Sequence, residues 1–127
     1  MNKRRVYSLI GIGIFAAGVL GLRQSHAQEE LDSIKVCPDT QKVVFENAFV
    51  RAIDDQIPPG VAEKKHQHRH GITVILTNYD VEQKTYPDGK VTRSHRKFGD
   101  VNWSEPVVHE VRNVGTTPSH AVRIELK

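Results

Sequence analysis

Short runs of β-forming residues, separated by turn residues, are the feature that most limits how this chain can fold. The runs are rich in Val, Ile, Thr and aromatic residues, and several alternate between apolar and polar positions. They span residues 42–45, 49–53, 72–77, 81–86, 90–93, 101–103, 107–114 and 121–126. Turn sequences such as Pro58-Pro59-Gly60 and Pro87-Asp88-Gly89 lie between them. No stretch after Leu31 keeps a 3.6-residue apolar period over three turns, so the pattern predicts an all-β sandwich or barrel.

The first 27 residues have the order of an export signal. The basic stretch Lys3-Arg4-Arg5 precedes the uncharged run Val6–Leu22, and Ser25-His26-Ala27 offers small residues at the −3 and −1 positions of a cleavage site. We interpret residues 1–27 as a signal peptide, which predicts a periplasmic or secreted mature protein. Lys3–Leu9 also resembles a twin-arginine signal, so that route and the ordinary secretory route both stay open. The alternative is a membrane anchor, which is expected only if the segment is not cleaved. A helix of this uncharged run would be about 25 Å long, which is at the short limit for a membrane span.

The charge distribution argues against a nucleic-acid partner. Four of the 18 Lys and Arg residues, and none of the 15 Asp and Glu residues, lie in residues 1–27, so residues 28–127 carry 14 basic and 15 acidic residues. A nucleic-acid-binding domain would need a clustered basic face. Residues 28–40 are polar and lack periodicity, which predicts a linker, and residues 41–127 are predicted to form one domain.

The run His66-Gln67-His68-Arg69-His70 is the strongest candidate for a functional site. Side chains at i, i+2 and i+4 of an extended strand share one face, so the three imidazoles can point the same way. Two imidazoles on one strand, with Cβ atoms about 7 Å apart, can bind one metal ion if a neighbouring strand supplies a third ligand. The alternative is a solvated polar patch, flanked by Lys64, Lys65 and Arg69.

Other residues have simpler interpretations. The residues Val122, Ile124 and Leu126 alternate along the last run, which predicts that they share one face and pack inward. His120 has the same parity and is predicted to be a hydrogen-bonded core histidine. Trp103 is predicted to lie in the core or in the wall of a pocket.

Two spaced motifs resemble those of the cupin superfamily. Pro59-Gly60, followed after five residues by His66-x-His68, is similar to the first cupin motif. The second motif is matched by Gly99, Asp100, Val101, Pro106, His109 and Asn113. The resemblance is to small single-domain bacterial cupins and covers residues 41–127. It implies a double-stranded β-helix (jelly-roll) barrel with a metal in its mouth, and a homodimer that pairs through sheet edges.

The resemblance also implies a set of metal ligands. His66, His68 and His109 would hold a divalent transition metal (Fe, Zn, Ni, Cu or Mn). His70 is not part of the family motif, but it shares strand parity with His66 and His68 and is therefore predicted as a fourth or alternative ligand, or as a residue behind the ligands. The family's first motif usually adds a Glu four or five residues after its second His, but Ile72 and Thr73 occupy those positions here. The missing carboxylate lowers the expected affinity for harder ions such as Mn²⁺.

Function is less restricted than fold, because one fold can host many chemistries. One hypothesis is an exported metal-dependent enzyme, for example a dioxygenase that acts on an unknown small molecule. The alternative is a non-catalytic module that binds a metal or a small ligand in its barrel, and a metal-free interaction domain is a third hypothesis. The sequence has no nucleophile elbow, phosphate loop or paired-carboxylate signature, so it identifies no catalytic residue.

Overall fold

Nine β-strands and one short helix make up the part of the chain that the structure, a computed structural model, describes, residues 30–127. They are α1 (Ser33–Val36), β1 (Gln41–Glu46), β2 (Val50–Ile57), β3 (Ala62–His68), β4 (Gly71–Ile75), β5 (Tyr79–Tyr86), β6 (Val91–Arg96), β7 (Val101–Ser104), β8 (Val107–Asn113) and β9 (Ser119–Leu126). Each of the eight predicted runs overlaps one strand, and β3 carries the histidine run. The predicted signal peptide, residues 1–27, lies outside the described residues. Within residues 30–127 no helix has the length and apolar character needed to cross a membrane.

The strands form two antiparallel sheets that face each other. The five-stranded sheet has the order β1-β2-β9-β4-β7, and the four-stranded sheet has the order β3-β8-β5-β6. Strands that are far apart in sequence, such as β2 and β9 or β3 and β8, are neighbours in these sheets. This arrangement is a double-stranded β-helix, or jelly roll, in which the chain passes repeatedly between two sheets. The predicted fold class is therefore confirmed.

The interior of the barrel is partly apolar and partly polar. The apolar cluster consists of Ile57, Ile75, Tyr79, Val81, Val111 and Ala121. The buried polar residues are Ser33, Gln41, Glu63, His66, His68, His109, Asn113, Ser119, Arg123 and Glu125. Burying polar groups costs free energy unless they find hydrogen-bond or charge partners. A large group of buried polar residues in one barrel therefore indicates a functional site.

Strand β9 faces the opposite way from the sequence prediction. Its buried positions are Ser119, Ala121, Arg123 and Glu125. The predicted core residues Val122, Ile124 and Leu126 lie half-buried on the outer face instead. The alternating pattern correctly grouped the residues that share a face. Which face points inward depends on the contents of the barrel, and here the polar half of β9 lines a polar interior.

Residues 30–40, predicted as part of a linker, pack against the barrel. The Leu31 carbonyl oxygen accepts a hydrogen bond from the Gln67 backbone N–H at 2.8 Å. The Asp32 carboxylate lies 2.7 Å from Nη1 of Arg51. Because β3 is an edge strand with free backbone groups, a segment that pairs with it satisfies those groups. This pairing holds the start of the segment against the barrel.

Candidate metal centre

Two neighbouring strands bring three histidines together. Strand β3 pairs with β8 so that His66 lies directly opposite His109, and His68 follows two residues later on the same face as His66. The Nε2 atom of His66 lies 3.2 Å from Nε2 of His68 and 3.1 Å from Nε2 of His109. All three side chains are buried. Their ligand nitrogens lie within 4.8 Å of one another, so this cluster could bind one metal ion.

In His66 and His68, the hydrogen bond made by Nδ1 determines that Nε2 carries the lone pair that faces the cluster. Nδ1 of His66 lies 2.6 Å from the Lys64 carbonyl oxygen, and Nδ1 of His68 lies 2.7 Å from Oε1 of Glu125. Carbonyl and carboxylate oxygens only accept, so both Nδ1 atoms donate. A neutral imidazole has one N–H, which leaves a lone pair on Nε2 of each ring. Two lone pairs pointing at each other across 3.2 Å repel unless a cation lies between them.

Burial keeps two of the imidazoles in the neutral form that binds metals. Burial lowers the pKa of His68 to about 4, against the opposing effect of its hydrogen bond to Glu125. Burial, followed by the charges of His66 and His68, lowers the pKa of His109 to about 2. Nδ1 of His109 is buried without a hydrogen-bond partner among the described residues. Near pH 7 protons therefore compete only weakly with a metal for His68 and His109.

The donor set fits a divalent transition metal. Two nitrogens that bind one ion at about 2.0–2.1 Å lie about 2.9–3.4 Å apart for bond angles between right angles and tetrahedral. The separations of 3.1 Å and 3.2 Å from His66 fall in this range. Imidazole suits Fe, Ni, Cu and Zn, whereas Mg and Ca prefer oxygen ligands. The cluster is therefore arranged as a transition-metal site.

A charged network orients His68 from behind. Oε2 of Glu125 accepts hydrogen bonds from Nε and Nη2 of Arg51 at 3.2 and 2.8 Å, while its Oε1 accepts from His68. Burial raises the pKa of Glu125, but the hydrogen bonds and charges of His68 and Arg51 outweigh it and lower the pKa to about 2. A carboxylate behind an imidazole fixes its tautomer and makes its other nitrogen a stronger metal ligand.

A β-bulge in β3 turns a second carboxylate into the interior. Glu63 lies opposite Val111 and His66 lies opposite His109, so between these pairs two residues of β3 lie opposite one residue of β8. The extra residue allows Glu63 to face inward although it is three positions from His66. Oε1 of Glu63 accepts a hydrogen bond from Nε2 of Gln41 at 3.0 Å, and its Oε2 lies 3.6 Å from Nε2 of His66. A negative charge thus lies beside the cluster on the strand that carries two of the three histidines.

A cavity of about 260 Å³ adjoins the cluster. His68 and His109 line it, together with Arg123 and Asp55. Burial, and then the charge of Glu63, raises the pKa of Asp55 well above its usual range. Oδ1 of Asp55 and Nε of Arg123 are buried without hydrogen-bond partners among residues 30–127. The cavity can therefore offer a bound molecule a carboxyl group and a guanidinium.

The structure places His70 away from the cluster. Strand β3 ends at His68 and β4 begins at Gly71, so His70 lies in the turn between them and is exposed. Its ring stacks on Trp103, with ring centroids 5.9 Å apart. Trp103 is 56% exposed on the outer face of the sheet, so the expectation that it forms core or pocket wall was wrong.

His120 and His95 also lie outside the cluster. Nε2 of His120 is 2.7 Å from Oδ1 of Asp54, and the residue is half-buried on the outer face of β9. His120 is therefore hydrogen-bonded as predicted but does not lie in the core. Nδ1 of His95 is 2.9 Å from Oδ1 of Asp80, and its side chain is exposed to solvent.

The sequence analysis missed two charged residues of the site, Arg123 and Glu125. They were overlooked because the apolar half of β9 was placed inside. One signal could have found them: a barrel that holds a metal needs polar inward positions, and these are the only Lys, Arg, Asp or Glu residues of β9. For Glu63 the sequence carries no comparable signal, because a β-bulge depends on pairing with another strand.

Comparison with solved structures identifies the fold. A cupin domain from Bordetella pertussis matches with a TM-score of 0.63 and 28% identity, over 68% of this chain and 91% of that chain. This chain has the cupin fold. A protein with a double-stranded β-helix domain from Klebsiella pneumoniae matches with a TM-score of 0.52 and 28% identity, over 66% of this chain and 72% of that chain. An RmlC-like cupin family protein from Methanocaldococcus jannaschii matches with a TM-score of 0.55 and 12% identity, over 68% of this chain and 77% of that chain.

No protein-family profile and no curated protein sequence matches the chain. The descriptions of the matching structures identify the cupin fold and name no reaction for these three proteins. The comparisons therefore assign no reaction to this chain.

The network behind His68 gives a prediction for metal affinity. We expect Glu125→Gln to weaken metal binding by about 10- to 100-fold, because the amide keeps the shape of Glu125 but removes its negative charge. Competition with a chromophoric chelator would measure the dissociation constant. Glu46→Gln is the matched control, since Glu46 pairs with Lys127 at the surface, and it is expected to change affinity by less than about twofold. Equal affinities in the two variants would show that Glu125 does not tune the site.

Proposed function

We propose that this cupin binds one divalent transition metal through His66, His68 and His109. The convergence of their three Nε2 atoms carries the proposal, since His66 lies 3.2 Å from His68 and 3.1 Å from His109. Two of the rings have Nδ1 engaged as a donor, so their lone pairs point toward a common region. No simple packing role accounts for three buried imidazoles held in this way.

The all-nitrogen ligand set favours Fe²⁺, Zn²⁺, Ni²⁺ or Cu²⁺ over Mn²⁺. The positions where the cupin motif would supply a carboxylate do not supply one: Ile72 lies on the outer face, and the Thr73 hydroxyl accepts a hydrogen bond from Arg123. Glu63 is close to His66 but is held by Gln41. When bound, such an ion would supply Lewis-acid polarisation or, for Fe and Cu, redox chemistry with dioxygen.

We further propose that the protein is a metal-dependent enzyme acting on a small molecule, with an oxygenase as the leading class. The observation in favour is that two ligand histidines, His68 and His109, line the cavity, so a bound ion would face the space that a substrate would enter. Arg123 would hold a polar or negatively charged group of the substrate. Asp55, whose carboxyl pKa is raised by burial, lines the same cavity and would form a hydrogen bond with that group.

A non-catalytic binding module is the second candidate. The cavity volume of about 260 Å³ favours it, because this is below the range of about 300–1,000 Å³ that is typical of small-molecule sites. In that case the site would retain an ion or a very small ligand without turnover. For either function we propose export, on the basis of the signal-like residues 1–27, to the periplasm or the cell exterior.

Metal analysis of protein purified without an affinity tag or chelator tests the metal proposal. The full-length sequence would be expressed, and elemental mass spectrometry would measure the metals bound to the purified protein. Mass spectrometry of the protein from each cell fraction would identify its N terminus and so test export. We expect about one equivalent of one transition metal per chain. No bound metal after anaerobic loading with Fe²⁺, Zn²⁺, Ni²⁺ and Cu²⁺ would contradict the proposal, and a chain that keeps residues 1–27 in the cytoplasm would contradict export.

Incubation with a small-molecule extract separates the enzyme from the binding module. The metal-loaded wild type and His109→Ala would be compared by mass spectrometry of the extract under air. Catalytic consumption of one compound by the wild type alone would support the enzyme. Depletion limited to about one equivalent per chain would support the binding module.

A further inference from the structure

A series of charged contacts leads from the segment before β1 to a histidine of the candidate metal centre. Oδ2 of Asp32 lies 2.7 Å from Nη1 of Arg51. Nη2 of the same guanidinium lies 2.8 Å from Oε2 of Glu125, and Oε1 of Glu125 accepts a hydrogen bond from Nδ1 of His68 at 2.7 Å. All three distances are those of charge-assisted hydrogen bonds. We call Asp32, Arg51, Glu125 and His68 the Asp32 network.

The contact between Asp32 and Arg51 differs from an ordinary surface ion pair. Their side chains are 22% and 15% exposed, and the side chain of Glu125 is fully buried. Oδ1 of Asp32 accepts a hydrogen bond from the Ile34 backbone N–H at 3.0 Å, and the Asp32 backbone forms a parallel bridge with Gln67. The Asp32 carboxylate is therefore held in place independently of Arg51. Forming the pair costs little side-chain entropy, and solvent ions screen it only weakly.

The same segment also leads to a second histidine of the cluster. Sγ of Cys37 lies 3.5 Å from Nδ1 of His66, and Nε2 of Gln41, at the start of β1, lies 3.4 Å from Nε2 of His66. Gln67, which pairs with the segment, separates the two histidines of β3. Asp32 does not line the cavity. We therefore expect Asp32 to act on the metal centre through the residues that hold the histidines, and not by touching a molecule in the cavity.

We propose that Asp32 is a positioning residue of the metal centre, which acts through its network on His68. This proposal rests on the metal site proposed above. The single positive charge of Arg51 is shared between two carboxylates, so Glu125 keeps more of its negative charge for the N–H of His68. That hydrogen bond keeps the proton on Nδ1 and the lone pair on Nε2, where a metal binds. Without the Asp32 charge, Arg51 would bind Glu125 alone and weaken the hydrogen bond to His68.

Asp32→Asn tests the proposal through metal affinity. Asn is as good an N-cap as Asp, so this variant removes the charge and keeps the cap of α1. We expect the affinity to fall by about 3- to 10-fold in competition with a chromophoric chelator. This is a smaller effect than that of Glu125→Gln, because Asp32 lies two contacts further from His68.

Asp39→Asn is the matched control for this variant. It removes the same charge from an exposed position of the same segment. We expect it to change the metal affinity by less than about twofold. Equal weakening by Asp32→Asn and Asp39→Asn would overturn the proposal, because the effect would then come from the net charge of the segment.

A double-mutant cycle separates positioning from a loss of structure. In the Glu125→Gln background the network is already broken, so Asp32→Asn should change the affinity by less than about twofold. The same fold-change in both backgrounds would mean that Asp32 only stabilises the segment, and it would overturn the proposal.

Arg51→Lys is a second variant of the same network. It keeps the positive charge but lacks the forked guanidinium, so one ammonium group cannot reproduce the contacts with both carboxylates. We expect it to weaken metal binding at least as much as Asp32→Asn does. An unchanged affinity would contradict the network.

Nitrogen-15 NMR of the metal-free protein gives a readout that needs no metal. The imidazole nitrogens of His68 report which of them carries the proton. We expect the proton on Nδ1 in the wild type and in Asp39→Asn. In Asp32→Asn we expect a larger fraction on Nε2, which can donate to Nε2 of His66 across 3.2 Å.

The NMR outcome separates this proposal from the metal site. An unchanged His68 tautomer in Asp32→Asn would overturn the positioning role, even in a protein that binds one metal per chain. A changed tautomer in a protein that binds no metal would support the positioning of His68 and contradict the metal site. The two failures are therefore distinguishable.

Discussion

Alanine at His66 or His109 is expected to lower the affinity for a divalent transition metal by about 1,000-fold or more, which is about 4 kcal/mol. His66 is central to the cluster because its Nε2 lies within 3.2 Å of both other Nε2 atoms. His109 is the only ligand that β8 supplies, so its loss leaves two ligands from one strand. Competitive titration would measure the affinity. Thermal unfolding would give a second readout, because an ion that binds only the folded state at 100 times its dissociation constant stabilises it by about 2.7 kcal/mol.

His70→Ala is the matched control for these variants. His70 belongs to the same run of alternating histidines, but its ring stacks on Trp103 outside the barrel. We expect this variant to bind metal as the wild type does and to keep the full increase in melting temperature on metal addition. Loss of metal from His70→Ala as large as that from His109→Ala would contradict the placement of the site.

Gly71→Ala is expected to lower the free energy of unfolding of the metal-free protein by about 3 kcal/mol or more. Gly71 begins β4 and lies opposite Glu125 of β9. A Cβ at this position would lie 2.0 Å from the Ile124 carbonyl oxygen and 2.9 Å from its carbonyl carbon. These are backbone atoms, so no side-chain rotation relieves the clash, and β4 and β9 would have to separate. Urea unfolding of the metal-free protein would measure the loss.

Gly115→Ala is the control for this variant. The nearest atom to a Cβ at Gly115 is the Asp80 backbone nitrogen at 3.3 Å, so a small adjustment accommodates it. We expect a change of less than about 1 kcal/mol. Equal free energies of unfolding for Gly71→Ala and Gly115→Ala would contradict the close approach of β4 to β9 at Gly71. Insoluble Gly71→Ala beside soluble Gly115→Ala would agree with the expected clash.

The fold was predictable because its signals are local. A strand needs only its own alternating or β-branched residues to be recognised, and every predicted run overlaps a strand. The turn at Pro87-Asp88-Gly89 joins β5 and β6 as predicted, with Gly89 at a φ of +69°. The pairing order of the sheets was less accessible, because partners such as β2 and β9 are separated by most of the domain.

The candidate site was predictable only in part. His66 and His68 share a face because they are two residues apart, which the sequence shows directly. His109 came from the resemblance to cupins, and the structure places it opposite His66. His70 had the right parity, but β3 ends before it, and the end of a strand depends on its neighbours. Glu63 has the wrong spacing for its face, and only the bulge against β8 turns it inward.

The sequence by itself determined the all-β class, the grouping of residues on strand faces and the pair of histidines on β3. The tertiary structure decided which face of each strand is inside, which strand supplies the third histidine, and where Glu125 and Glu63 lie. The physical reason is the range of the interactions. The two-residue period of a strand is set by its own backbone geometry, whereas register, bulges and inward orientation are set by pairing with distant strands and by the polar contents of the barrel.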